Sequence, residues 1–596
     1  MTLVICILLP ALFLMFMREK VLGKEITCGF SQEFKSFIKE YLITLCFLNA
    51  GVISIAYLFF HHSGAIDKAL LTSAKFAFKY LFLALTISLV EPYVENIIRF
   101  HFKSDVEKIN VTLKIDAIFY IYAVILLGMN FARVFDNAFW GDEGYSIRLA
   151  KLGFSEMIKA TAADVHPPLH YILLQILYKI FGNHGYTYHL AGFLPYAVIM
   201  VIACSVVRKY FGKIPSAILV TMASIMQSAV RYNVECRMYS LAAMFVLISF
   251  IAFFRIIKGS SSGAFVVFCI SSLGAAYTHY YALIAIAFMY LMMLPLAIKR
   301  KISWVSLIVS WLATIACYLP WLSILAKAFG RTSNYWWAKD KDVPTVKSCI
   351  EWLFDKKWLT IISIIFMILF FVYESKLLVI ESNEEEKNIK NKFEFKFNFS
   401  KQLVMTDKMY LVLTGIISVI GTIGVGLLLS YLIRPFFVLR YMFPLSAIVY
   451  LMVGISISKL KLPRFWNIVM IVCILFINIP TYCKTFKNDH NLNSNTSKFL
   501  EKIQPEKDSI IITNNSHLNW SLLEYYYPEI EHKHSTDPIK AVKDKHETIW
   551  LFWDKALENA DIDNIKKQNC TVKKVYNSRW ANNYMYTIYE VKKVKK

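Results

Sequence analysis

Apolar residues run in long blocks along this chain, separated by short polar segments rich in lysine and arginine. A helix needs about 20 apolar residues to cross the hydrocarbon layer, so block length is the first measure to apply. Residues 3–17, 41–60, 76–94, 115–131, 188–207, 214–230 and 239–257 read as spans. So do 264–278, 282–298, 304–325, 359–373, 411–433, 437–457 and 466–482. One block falls short. Residues 169–181 make about 20 Å of helix against a core of about 30 Å. If that block stays on one side, the basic loops around Arg18, Arg99, Arg208, Arg255, Arg300 and Lys459, together with 374–408, share one face. If it crosses, they split. The tendency of basic loops to stay cytoplasmic selects a juxtamembrane or re-entrant helix.

The expected fold is therefore an all-α polytopic membrane protein with about 14 transmembrane helices and both ends outside. Segments 132–187, 231–237, 278–281 and 326–358 fall on the outer face, and 374–408 is expected as a solvated, mobile cytoplasmic connector. Beyond Cys483 the composition changes. Residues 507–513, 548–552, 570–575 and 584–591 read as strands and 518–527 as a helix, which gives a small C-terminal α/β extracytoplasmic domain. The domain expectation is a three-helix extension at 1–110, a membrane module at 111–483 and the α/β domain at 484–596.

Composition narrows the class. The chain is 57% hydrophobic and 18% charged, which excludes a soluble enzyme, a disordered chain and a disulfide scaffold. Lysine and arginine number 65 against 42 acids, for a net charge of +23. On a soluble protein that excess would suggest nucleic acid; here it marks the cytoplasmic face. The cysteines are scattered with no CxxC pair, and no zinc site follows.

The candidate chemistry gathers on the outer face. Trp140-Gly141-Asp142-Glu143-Gly144-Tyr145-Ser146 is followed by Asp164-Val165-His166-Pro167-Pro168-Leu169, with amphipathic residues 147–160 between them. Alone, this could be a solvated acidic loop ending in a proline-initiated helix. Arg231 to Tyr239 places Glu235 and Arg237 between two apolar helices, where charge is usually paired and often functional, although Arg231 also reads as a snorkelling helix-end cation. Arg434 and Arg440, the latter followed by Tyr441, need an anion, either a protein carboxylate or a phosphate. His279, Tyr280 and Tyr281 could donate to either, or sit in an aromatic belt. The basic loop of Lys327, Arg331, Lys339, Lys341 and Lys347, with Tyr335, Trp336 and Trp337, could cap a ligand or rest on headgroups. There is no Walker loop and no GxGxxG fingerprint. A carrier would place its ionisable groups near the midplane of broken helices, whereas these collect at one face.

These motifs together resemble the family-39-like branch of the GT-C glycosyltransferases, which includes protein O-mannosyltransferases and the lipid A aminoarabinose transferase. The resemblance covers roughly residues 115–482. It departs at Gly144, where the family usually has alanine or another small residue, and some relatives carry lysine where His166 stands. The resemblance implies a GT-C-like core in a bacterial plasma membrane. It also implies sugar transfer, with inversion, from a polyprenyl-phosphate donor to a hydroxyl of a protein, lipid or glycan acceptor. By the same resemblance Asp142 is the base and Glu143 its catalytic partner. His166, Arg237, His279, Tyr280, Arg434 and Arg440 would hold the donor phosphate. Trp140, Tyr145, Asp164, Glu235 and Tyr441 would position the acceptor or support the site. No cofactor is required, and a divalent cation at Asp142 and Glu143 stays an open alternative. Membrane lipids are expected partners and nucleic acid is not. The rival classes are a transporter and a lipid-linked glycan flippase or ligase.

Overall fold

The computed structural model describes residues 107–594, except 137, 165, 260–261, 335–342, 376–377, 383–392, 398–404, 434–436, 461–463, 515–516 and 581–583. The expected spans at 3–17, 41–60 and 76–94, together with Arg434, Tyr335, Trp336 and Trp337, lie outside the described residues. The chain divides into two compact units, Met1–Ile125 with Val201–Val206, and Leu126–Met200 with Val207–Lys596. In the first, α1 (Glu107–Asp136) begins and Phe119 meets Tyr120 edge-on at 5.4 Å.

In the second unit the outer segment folds as α2 (Gly141–Lys151), α3 (Phe154–Ala163) and α4 (Leu169–Phe181). Next come α5 (Gly185–Ile202), α6 (Arg208–Phe211), α7 (Lys213–Ile225), α8 (Gln227–Tyr232), α9 (Tyr239–Ile257) and α10 (Ser262–Ala276). The helical series continues with α11 (Tyr280–Ile298), α12 (Trp304–Asn334), α13 (Val346–Phe354), α14 (Lys357–Glu374) and α15 (Asp407–Leu432). A 3-10 segment, Leu439–Leu445, leads into α16 (Ser446–Lys459), and α17 runs from Arg464 to Lys502.

Among the described residues, 9 helices are long and apolar enough to cross a membrane. Two more expected spans, at 214–230 and 264–278, are the shorter helices Lys213–Ile225 and Ser262–Ala276. The first is shorter than expected because the chain breaks at Met226, in extended backbone, and restarts as α8. Pro168 stands at the N-cap of α4, and Gly182 ends that helix at φ 76, a left-handed conformation that costs glycine little.

Two regions differ from expectation. Residues 374–408 are not simply a connector: Leu378–Ser382 (β1) pairs antiparallel with Phe393–Phe397 (β2). The alternation Phe-Glu-Phe-Lys-Phe carries the strand signal there. The last apolar helix does not end near Tyr482, because residues 483–502 hold no glycine or proline to stop it. The composition change there marks a more polar part of one continuous helix.

The C-terminal sheet has five strands in the order β4-β3-β5-β7-β6, made by Glu531–His534, Ile510–Thr513, Thr548–Trp553, Tyr584–Lys593 and Cys570–Trp580. The first two pairings are parallel and the last two antiparallel. β5 is buried along its whole length, which explains its unbroken apolar run. Ile510, Ile512, Ile549, Leu551 and Val591 pack with Ile565 of α20 (Asn559–Lys566), while α19 spans Pro538–Ala541. Phe552 meets Phe499 and Tyr527. The remaining helix, α18 (His517–Tyr526), lies against α2.

Candidate active site

The N-terminus of α2 organises the site. Trp140 is extended and precedes the first turn. Glu143, on that turn, folds back so that its carboxylate accepts from the Trp140 backbone N–H at 3.0 Å. Its other oxygen accepts from the Cys236 N–H at 2.7 Å. The group is buried, and burial, followed by the charge of Glu235, pushes its pKa well above the usual carboxylate range. Glu143 thus joins two segments that lie far apart in sequence and turns away from the open side of the site.

Segment 233–237 can approach because α5 presents Gly192 beneath it. A Cβ there would lie 2.5 Å from the Glu235 carbonyl oxygen. Glu235 accepts from Trp140 Nε1 at 3.1 Å and from Arg231 Nε at 3.2 Å, and burial raises its pKa as well. The Trp140 ring carries two guanidinium groups, Arg231 at 5.4 Å and Arg440 at 5.6 Å from its centroid.

Asp142 differs from its neighbour. Its carboxylate is partly exposed, and Oδ2 lies 3.4 Å from Arg440. Arg237 is buried and donates to the Asp142 carbonyl at 3.2 Å and to Ser146 Oγ at 3.1 Å. Its other terminal nitrogen meets His166 Nε2 at 3.0 Å. A guanidinium only donates, so Nε2 accepts and His166 is neutral. The electrostatics agree, since burial and then Arg237 push its pKa well down. His279 behaves alike: Nδ1 accepts from the Tyr281 N–H at 3.2 Å, and burial followed by Arg237 and Arg440 lowers its pKa to about 3. The positive charge beside Asp142 therefore comes from arginine, and the two histidines are neutral hydrogen-bonding groups.

The remaining sequence candidates divide. Tyr441 stacks on Tyr281 at 5.0 Å and meets His279 at 5.4 Å, which places it beside Arg440. Tyr145 is hydrogen-bonded to Asp164, and burial raises its pKa. Tyr280 departs: its hydroxyl accepts from Trp321 Nε1 at 3.2 Å and its ring joins the apolar cluster of Ala276, Tyr318 and Trp321. It is the first residue of α11, whose N-cap is His279, and its ring turns toward α12 while Tyr281 turns toward Tyr441, because consecutive helix residues point about 100° apart.

Of three buried hydroxyls, those of Tyr171, Tyr239 and Tyr281, sequence reading singled out only the last as a donor; none has a hydrogen-bond partner among the described residues. Arg237 Nε is likewise buried without one. Tyr239 stands two residues after Arg237 in a segment already singled out, and that position was the signal available. Burying unpaired polar groups costs about 1–3 kcal/mol each, so this set has hydrogen-bonding capacity left to meet a polar ligand. A divalent cation fits poorly. Both Glu143 oxygens are bonded to backbone N–H groups, Asp142 faces Arg440, and no group of three metal-ligating side chains occurs among the described residues.

Residues 165–322 match the family model described as dolichyl-phosphate-mannose-protein mannosyltransferase. That stretch contains His166, Glu235, Arg237 and His279. Among solved structures, ArnT from Cupriavidus metallidurans in the apo state is similar at 10% identity and a TM-score of 0.49, covering 79% of this chain and 97% of its own. The same protein bound to undecaprenyl phosphate gives 10% identity, the same coverage and a TM-score of 0.48. No curated protein matches the chain.

Proposed function

We propose that this protein is an integral membrane glycosyltransferase that moves a sugar from a polyprenyl-phosphate donor to a hydroxyl acceptor, on the extracytoplasmic face of a bacterial plasma membrane. The carrying observation is a buried, incompletely paired arginine, with the unpartnered hydroxyls of Tyr171 and Tyr239 close to the arginines, beside a partly exposed carboxylate. The family match over residues 165–322 supports the same reading.

In this reading Arg237 and Arg440 bind the donor phosphate, and the free tyrosine hydroxyls complete its hydrogen bonds. The acceptor hydroxyl attacks the anomeric carbon from the face opposite the phosphate. The new carbon–oxygen bond forms as the sugar–phosphate bond breaks, its electron pair goes to the phosphate oxygen, and the anomeric centre inverts. Asp142 takes the hydroxyl proton. The arginines stabilise the charge that develops on the leaving phosphate. Glu143 positions rather than reacts, because both its oxygens are already engaged. His166 orients Arg237 as a neutral acceptor.

Mass spectrometry of lipids that co-purify with the full chain tests the donor. A polyprenyl-phosphate sugar is expected on the wild type, with less on Arg237→Ala. Preparations in which neither protein carries such a lipid would sink the proposal.

A further inference from the structure

A cavity of about 420 Å³ is lined by Phe139, just before α2, and by one face of α17. Its volume lies within the range of about 300–1,000 Å³ usual for small-molecule sites. One wall is a single face of α17. His490, Asn493, Ser494 and Ser497 follow the i, i+3, i+4, i+7 spacing that brings side chains onto one stripe. The opposite wall supplies rings, chiefly Phe139, Tyr186 and Tyr525. Phe139 and Tyr525 stand edge-on at 5.2 Å, which sets two ring planes nearly perpendicular.

The polar groups have capacity to spare. The Asn493 amide and the Ser494 hydroxyl make no hydrogen bond among the described residues. Ser497 donates to the Asn493 carbonyl, which leaves its oxygen lone pairs open. His189, 1% exposed, lines the same cavity. Its Nδ1 lies 3.1 Å from the Val134 carbonyl oxygen and so carries the proton, while Nε2 faces the buried Glu143 carboxyl at 3.8 Å and its ring stacks on Phe139, so His189 serves as part of the wall. The charged groups of the wall are Asp136 and His490, which pair at 2.5 Å. Nothing there favours an anion, in contrast to the arginines beside Asp142.

An amide and hydroxyls facing aromatic rings, with no excess charge, match the chemistry of a sugar ring. Its hydroxyls take the polar wall and its C–H face rests on the rings. We infer that this cavity is a binding site for a neutral pyranose, separate from the site around Asp142. The inference rests on the lining chemistry and does not require the transfer reaction proposed above.

Saturation-transfer NMR on the full-length protein tests it, in an amine-oxide detergent that carries no sugar headgroup. The probes are methyl α-mannoside, methyl β-glucoside and methyl β-galactoside. At least one should bind at about 1 mM, with Ser494→Trp and Asn493→Leu each weakening it by about tenfold. Asp142→Asn should leave binding unchanged, which separates this site from the transfer site even if that reading fails. Melting curves confirm that the variants fold, and Asn493→Leu serves should Ser494→Trp not. Three outcomes overturn the inference: no binding of any probe to the wild type, binding retained in the folded cavity variants, or binding lost in Asp142→Asn.

Discussion

Asp142 and Glu143 are adjacent acids on one helical turn, yet they belong to different sides of the molecule. The Asp142 side holds two arginines, two neutral histidines and hydroxyls that await a partner. The Glu143 carboxyl is itself fully engaged, with backbone N–H groups meeting both oxygens, and the stacked rings of Phe139 and His189 separate it from the cavity beyond. Side-chain type does not separate them. What separates them is which neighbour arrives from a distant segment: the Arg440 guanidinium at one, the Cys236 backbone at the other.

The sharpest way to break that contrast is to neutralise each acid. Asp142→Asn should fold like the wild type and lose about 10³-fold in turnover, as expected for a missing general base. Wild-type turnover would remove Asp142 from the reaction. Glu143→Ala should instead lose stability, by about 2–4 kcal/mol for two stranded buried donors, read as a lower melting temperature. Glu143→Gln retains an acceptor oxygen and should recover part of that loss; equal melting of the two variants would reject a positioning role.

A smaller effect is expected at Gly144, where a Cβ would sit 2.8 Å from Leu522 Cγ of α18. Gly144→Ala should push α2 off α18 and lower turnover by about tenfold, since small misplacements of reacting groups are costly. Leu522→Ala in the same chain should restore much of it. An unaffected Gly144→Ala enzyme would show that α18 does not set the position of α2.

The smallest effect concerns pH. The folded pKa of His279 lies near 3, below the value of about 6.5 in an unfolded chain. The unfolded state then binds the extra proton, so the stability contribution is present above about pH 6.5 and declines as pH falls toward 3. His279→Asn should flatten the melting temperature across that window. An unchanged slope would place the acid sensitivity elsewhere.

Much of this organisation is written locally. Block lengths located nine spans among the described residues, four of the five C-terminal strands and one helix were readable while β4 was not, and the acids, Arg237 and Arg440 stood out as charges in apolar surroundings. The division of labour between Asp142 and Glu143 was not readable, because it depends on a contact with Cys236 across 93 positions. Tyr280 resembled its neighbour Tyr281 until helix geometry sent the two rings in different directions. The cavity residues of α17 were read only as the start of the C-terminal domain, since a stripe gains meaning only when another surface faces it.

The unbroken course of α17 carries one more consequence, a matter of phase. Thirty-nine residues of helix extend about 58 Å, and beyond Pro480 each side chain keeps a fixed angle to the residues before it. Inserting one alanine after Cys483 would rotate His490, Asn493, Ser494 and Ser497 together by about 100°, while inserting seven would return them to within about 20° of their starting direction. The angular register of that helix, more than the identity of any one of its polar residues, determines whether the stripe meets the rings.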